Sequence, residues 1–390
     1  MRQVTSARYP GSNGSPTGNR LVVRQPQGVR PGAGRRIVVA LGGNAMTGPD
    51  GRVTPESQRA AVELSMDGIA GLLAAGHQVI VTHGNGPQVG SLVVQNELAR
   101  QVVPPVPLDW CVAETQATLG MLIVTALERA LAVRGVERQV AALISRVLVD
   151  ADDPAWENPT KPIGAPVDER EASEGIAKGQ TYRRDGARGW RRVVPSPEPR
   201  ELLDGPVVRS LVEQGIVVVA GGGGGIPMVR DGGTLHGVEA VLDKDLTGVL
   251  LARAVGADCL VIATDVEHVS TAFGTPAERP VGRVTPAALR ALADAGHFGS
   301  GSMAPKVEAA IRFVTAASTR PAIPVATAYP ARAVITSLRR LGEAVDGGVG
   351  TIVEPEPVAG DLADAGMANS EPAPGGPNAA PRHPHPTAQP

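Results

Sequence analysis

The sequence predicts an α/β protein built on an open, mostly parallel sheet, and three observations predict it. The 390-residue chain is 42% hydrophobic but only 2% aromatic, so its core must be built from Val, Leu, Ile and Ala. Aliphatic runs of that kind suit strands covered by helices on both faces. Strand-like and helix-like runs alternate along the chain, as in βαβ units. Three of the strand-like runs end in glycine-rich turns: Gly42-Gly43-Asn44, Gly84-Asn85-Gly86, and Gly221 to Gly225.

The ordered part begins with Ile37-Val38-Val39-Ala40-Leu41. Pro55 to Ala75 carries apolar residues at helical spacing, with Pro near its start and Gly76 at its end. Gln78 to Thr82 reads as a buried strand. Thr115 to Arg134 reads as helix and Val140 to Val149 as strand. From Asp150 to about Pro199 the pattern gives way to Pro, Gly, Trp and charge. Fifty structureless residues inside a domain would be anomalous, so this stretch reads as an excursion, a candidate lid. Ile216 to Ala220 resumes the strands. Asp243 to Val255 reads as helix, Cys259 to Ala263 as strand, Thr285 to Ala295 as helix. Pro305 opens a further helix, and Ala322 to Ala326 reads as strand.

The ends differ from the middle. The first thirty-six residues hold seven arginines and no acid, with much Gly, Pro and Ser. The stretch from about Pro355 onward is rich in Pro, Ala and Gly and lacks periodicity. Both read as disordered extensions. The net charge of −2 gives no nucleic-acid footprint. No apolar run reaches the roughly 18 residues needed to span a bilayer. Cys111 and Cys259 sit in apolar surroundings and read as buried thiols in a reducing, cytoplasmic setting. His383 and His385 read as incidental. There is no Cys/His cluster, so no metal ligands are assigned. There is also no Walker-type string and no G-x-S-x-G elbow.

Lysine usage is skewed. Four of the 37 basic residues are Lys: Lys161, Lys178, Lys244 and Lys306. A lysine that persists among arginines marks a place where a compact point charge fits and a planar fork does not. Three of them stand in unusual strings: Asn158-Pro159-Thr160-Lys161-Pro162, Asp243-Lys244-Asp245 and Ser302-Met303-Ala304-Pro305-Lys306. Together with glycine turns that expose backbone N–H groups, they suggest a site that gathers negative oxygens. Lys178 matches no such string and reads as surface.

These strings identify the chain as resembling the carbamate kinases of the amino-acid-kinase superfamily. The most specific are His83-Gly84-Asn85-Gly86-Pro87-Gln88-Val89-Gly90 and Asn158-Pro159-Thr160-Lys161-Pro162-Ile163-Gly164. Others are Ala40 to Ala45, Pro107-Leu108-Asp109, Arg192 to Pro197, Gly222 to Pro227, Gly237 to Leu246, Thr264-Asp265-Val266, Gly296 to Met303 and Pro305 to Ala310. The resemblance runs from about Arg36 to Val353. It implies a three-layer αβα sandwich with a small protruding lid subdomain. A lobe at 36–220 would bind carbamate and the phosphoryl group, with the lid at about 150–199. A lobe at 221–354 would bind nucleotide. Residues 1–35 and 355–390 lie outside both lobes.

The implied reaction is phosphoryl transfer between ATP and carbamate, with Mg²⁺, in a homodimer. Gly42, Gly43, Asn44, Gly84, Asn85 and Gly86 would cradle carbamate and the phosphoryl group. Lys161 would reach the acyl phosphate from the lid. Lys244 would lie on the phosphates with Asp245 holding its ammonium. Gly222, Gly223, Asp265, Met303 and Lys306 would serve the nucleotide. His83 reads as structural, and Asp109 as either a substrate contact or a helix cap. Ser270 stands where the family often has an aromatic residue or Cys, which bears on adenine packing. Trp110 replaces a smaller residue, which bears on the dimer contact. Acetylglutamate or glutamate kinases, and a non-catalytic sensor of carbamoyl phosphate or nucleotide, are the alternatives.

Overall fold

A computed structural model describes residues 34–42, 46, 54–186, 189–299, 302–318 and 329–356. The expected strand Ala322 to Ala326 and most of both extensions lie outside these residues. Arg35, placed by sequence in the first extension, is buried and pairs with Asp258 at 3.2 Å.

An eight-stranded sheet forms the middle layer. Its order is Arg283–Val284, Thr351–Val353, Arg332–Ser337, Cys259–Thr264, Arg36–Leu41, Gln78–His83, Val217–Val219, Val140–Ala142. Neighbours are parallel except Arg332–Ser337 against Thr351–Val353. Side chains alternate between the faces of a strand, and here both faces are buried. Ile37, Val39 and Leu41 join one core, with helices Pro55–Ala74 and Leu108–Val133. Val38, Ile80 and Val218 join the other, with helices Gly205–Glu213, Lys244–Val255 and Met303–Ser318. Each fully buried Val, Leu or Ile contributes about 1.5–3 kcal/mol, so this core holds with few aromatics.

The helix from Pro55 is stopped and started by local chemistry. Thr54 and Ser57 form a reciprocal capping box, and Pro sits at the first turn. The helix expected from Thr115 begins seven residues earlier, at Leu108. Asp109 therefore lies in its first turn and does not cap it. This helix is long and apolar enough to cross a membrane by length and composition. The scattered Asp109, Glu114 and Glu128 hide that from a search for continuous apolar runs. Its Leu119, Ile123 and Leu127 are buried in the sandwich core.

Helix Gly86–Ala99 is not apparent from the sequence pattern. Gly86 and Pro87 look like a turn, yet Pro is well accommodated in a first helical turn. The stretch Val140 to Val149 is two strands, not one. Val140–Ala142 ends the main sheet, and Arg146–Leu148 pairs in a second, four-stranded sheet with Ile226–Asp231. Ser145 marks the crossing. Its N–H donates to Gln116 Oε1 at 2.7 Å, and its carbonyl accepts from Ile226 N and Gln116 Nε2.

The excursion is a small subdomain. Strands Lys161–Val167, Trp190–Val194 and Thr181–Arg184 form a three-stranded sheet, with helix Glu169–Ala177 between them in sequence. It is seated on helix Gly86–Ala99 through two glycines. A Cβ on Gly90 would lie 2.3 Å from Gly164 Cα, and Gly164 itself has φ +69°. The two most family-specific strings of the sequence thus meet backbone to backbone. Lys178 ties the same surfaces from outside, 2.7 Å from Glu97.

A side chain on Gly90 should therefore unseat this subdomain. Gly90→Val is expected to raise backbone hydrogen exchange several-fold in residues 161–167 and 190–194 while leaving the main sheet protected. Unchanged exchange in those strands would refute the glycine seat.

Candidate active site

The sheet order gathers the glycine turns. Strands Cys259–Thr264, Arg36–Leu41, Gln78–His83 and Val217–Val219 are consecutive and parallel. Asp265, Gly42, Gly84 and the glycine run from Gly221 therefore leave one edge of the sheet. In open α/β sheets, ligands bind outside that carboxyl edge.

Helix Lys244–Val255 starts there, anchored by Thr247 Oγ1, which donates to the Gly224 carbonyl at 2.8 Å. Asp243 is its N-cap. Asp243 Oδ1 accepts from Asp245 N at 2.9 Å and Leu246 N at 3.3 Å. The other oxygen, Oδ2, accepts from Lys161 Nζ of the lid at 2.7 Å. The next acid is shared in the same way. Lys244 Nζ donates to Asp245 Oδ1 at 2.5 Å, and Lys306 Nζ donates to Asp245 Oδ2 at 2.9 Å. Lys306 comes from the first turn of helix Met303–Ser318. Three lysines from distant stretches thus meet two carboxylates.

This network is mostly out of water. Side-chain exposure is 4% for Asp245, 8% for Lys306, 12% for Lys244 and 32% for Lys161. Burial alone would raise the Asp245 carboxyl. Its ammonium partners, Lys244 first and then Lys306, outweigh burial and hold it at about 2. Burial lowers the Lys244 ammonium, Asp245 pulls it back up, and Lys306 pushes it down again. Such a cluster should favour an incoming anion, because three ammonium groups face only two carboxylates.

The glycine loops interlock beside it. A Cβ on Gly222 would meet His83 Nε2 at 2.4 Å, and one on Gly223 would meet Asn85 Nδ2 at 2.1 Å. Gly223 also has φ +66°. Asn85 stands at the N-cap of helix Gly86–Ala99 but makes no side-chain cap bond there. Its amide donates to Thr115 Oγ1 at 2.8 Å instead. The helix's first N–H groups are thereby left without a side-chain cap, the arrangement that suits a bound anion. Gly42 lies against strand Cys259–Thr264, with a Cβ there 3.0 Å from the Ala263 carbonyl oxygen. Gly43 and Asn44 lie outside the described residues.

A cleft of about 1780 Å³ opens over the network, lined by Lys161, Lys244 and Lys306. Arg183, Arg184 and Arg191 of the lid line it too. Sequence reasoning did not single these out, and the only signal was the density of arginine in the excursion. Four of the five expected nucleotide residues, Gly222, Gly223, Asp265 and Met303, do not line the cleft. Met303 packs on the core while its neighbours Ser302, Ala304 and Pro305 face the opening. Asp265 is exposed at the sheet edge. Gly222 and Gly223 are buried against His83 and Asn85. Ser270 is half-buried opposite Pro280 in a two-stranded ladder and does not line the cleft. Asp109 packs against Gly237, at which a Cβ would lie 1.9 Å from its carboxylate. Cys111 and Cys259 are free buried thiols.

Residues 35–323 match the amino acid kinase family. A carbamate kinase of Thermococcus kodakarensis is 44% identical over 82% of this chain and 99% of its own length. One from Enterococcus faecium, carbamate kinase 1, is 42% identical over the same shares. The chain belongs to the carbamate kinases of the amino acid kinase family. Among solved structures, a Giardia lamblia carbamate kinase bound to AMP-PNP superposes with a TM-score of 0.75. It is 36% identical, over 83% of this chain and 99% of that one. Carbamate kinase membership makes the chain a phosphotransferase.

His83 gives the site a pH signature. Burial, aided by Lys244 and opposed by the hydrogen bond to the Gly84 carbonyl, lowers its imidazole to about 4. The unfolded chain takes up a proton near 6.5 that the fold refuses until about 4, so stability falls as pH falls through that window. Between pH 7 and 5 the loss is about 2 kcal/mol. Urea unfolding at both pH values should show this drop in the parent. His83→Gln should show about 2 kcal/mol less of it. Equal drops in both would remove His83 as the cause.

Proposed function

We propose that the chain transfers a phosphoryl group reversibly between ATP and carbamate, giving ADP and carbamoyl phosphate, through the residues gathered above. The observation that carries this reading is the shared bridging of Asp245 by Lys244 and Lys306, with Lys161 latched beside it on Asp243. Carbamate is already an anionic nucleophile, so no general base is needed. The obstacle is repulsion between that anion and the γ-phosphate, about 4 kcal/mol for unit charges 4 Å apart at an effective dielectric near 20. Phosphoryl transfer depends on positioning and charge neutralisation. Three ammonium groups and the uncapped start of helix Gly86–Ala99 supply both.

In this reading Gly42, Gly84, Asn85 and Gly86 cradle carbamate, together with Gly43 and Asn44 on the strength of the family resemblance. Lys244 and Lys306 take phosphate oxygens while Asp245 fixes their positions. Lys161 leaves Asp243 for the transferred group. Gly222 and Gly223 back the cradle, and the turn from Asp265 and the helix start at Met303 flank the nucleotide. Among the described residues no three His, Cys, Asp or Glu side chains form a metal-holding group. That suits Mg²⁺ carried on the nucleotide's phosphates, as Mg²⁺ usually is, with at most one or two carboxylates and water. Bound there it would screen phosphate charge. The unpaired buried thiols agree with a reducing, cytoplasmic setting.

The direct test is ATP formation from carbamoyl phosphate, Mg²⁺ and ADP, with acetyl phosphate and acetylglutamyl phosphate as comparisons. Carbamoyl phosphate should be the preferred donor. Lys161→Ala should depress turnover by about 10²–10³-fold, the range for losing one charge-stabilising donor, with ADP affinity near the parent's. Binding of both ligands without ATP would make the protein a sensor, and equal loss of ADP binding would misplace Lys161.

We further propose that the chain is a homodimer. Leu98, Trp110 and Met121 stand 79%, 60% and 59% exposed on the neighbouring helices Gly86–Ala99 and Leu108–Val133. Equilibrium sedimentation should give twice the chain mass, and Leu98→Arg/Met121→Glu should give monomers. A monomeric parent would end this reading.

A further inference from the structure

A second groove, of about 1220 Å³, lies between helices Lys244–Val255, Pro286–Asp294 and Met303–Ser318. Its apolar lining includes Leu246, Val249, Leu250 and Ile311. Four arginines line it, Arg200, Arg253, Arg290 and Arg312, against two glutamates, Glu198 and Glu356. Glu308 reaches Arg290 and Arg312 from the side, and Arg312 also donates to Glu198 at 2.7 Å. Arg200 meets Glu198 only at 3.7 Å. The groove is apart from the lysine network but shares Glu198, Arg200, Leu246 and Arg290 with the wall of the active cleft.

We propose that this groove is the docking seat of the chain's own residues 358–367. Pro355 and Glu356 already line the groove, so the chain leaves the described fold at its mouth. Leu362 follows Glu356 by six residues, a reach of up to about 20 Å when extended. The segment offers Val358, Leu362 and Met367 among small residues, matched to an aliphatic lining. It also carries Asp361 and Asp364, and no basic residue occurs from 357 until Arg382. Acid and aliphatic groups thus meet arginine and aliphatic groups. The tether matters as much as the contacts. A short flexible linker gives an effective concentration in the millimolar range, so a weak match suffices for occupancy.

The curated relatives are matched over 99% of their own length by 82% of this chain, and the family strings of the sequence end at about Val353, before this segment. Its seat adjoins residues that follow the lid's last strand. Docking there braces Glu198 and Arg200 where the lid chain returns, and so couples this added segment to the cleft wall.

The test uses the full chain with p-benzoylphenylalanine at Leu362 and a mixture of isotopically light and heavy protein. Photolysis should give crosslinks within one chain to peptides spanning 246–253 or 311–317. Asp361→Arg/Asp364→Arg in the same chain should cut that yield at least five-fold. No crosslink, crosslinks scattered elsewhere, light-to-heavy crosslinks from a second copy, or a yield indifferent to the charge reversal would each overturn the proposal.

Discussion

One buried carboxylate organises the site. Asp245 gives one oxygen to Lys244 and the other to Lys306. Without it, two ammonium groups would be buried side by side and unpaired. Removing one partner from such a cluster costs about 3–5 kcal/mol. The repulsion between the two cations is itself of the order of 4 kcal/mol at 4 Å and moderate dielectric. The fold meets this by placing Asp245 in the first turn of a helix whose start is fixed by Asp243, by Thr247 and by the glycine run. Helix start, glycine loops and lysines are therefore one unit. A shift in any of them would move a charge.

The two aspartates divide their oxygens differently, and the division links the lid to the site. Asp243 spends Oδ1 on capping and Oδ2 on Lys161. The position of the excursion is thus registered at the same helix terminus that carries Lys244. In the proposed reaction an arriving phosphoryl group competes with Asp243 for Lys161. Asp243 keeps its capping bonds when Lys161 leaves, so the helix start survives the exchange. The glycine seat between residues 90 and 164 sets where the lid rests, and the Asp243 latch sets which charge it delivers.

Much of this was legible in the sequence, for identifiable reasons. Strands that run into glycine turns announce a parallel sheet edge, and the structure puts those turns on three adjacent strands. Lysine scarcity, with the strings around three of the four, points to positions 161, 244 and 306. What stayed hidden depended on contacts far apart in the chain. The pairing of Lys161 with Asp243 spans 82 positions. The split of 140–149 into two sheets depends on Gln116 holding Ser145, which no local pattern encodes. Helix Gly86–Ala99 was masked because its Gly-Pro start also reads as a turn. Met303 is half-buried against the core in the first turn of the helix that carries Lys306, and its neighbours Ser302, Ala304 and Pro305 line the cleft, a placement its string does not encode.

The geometry also supplies a reason why lysine persists at these positions in so arginine-rich a chain. A guanidinium fork pairs with a carboxylate through two parallel bonds, taking both oxygens. At position 244 or 306 an arginine would bring a broad planar head into a site where two cations already crowd the buried Asp245. Two point charges can share one carboxylate, an oxygen each, and still present donors to a third party. Each ammonium has three N–H groups and spends one on Asp245. The remaining donors of Lys244 and Lys306 line the cleft that both residues face. Arginines also share a carboxylate here, as Arg290 and Arg312 share Glu308 nearer the surface, so what the buried Asp245 selects is the compact ammonium, which leaves room for an incoming anion between the two cations.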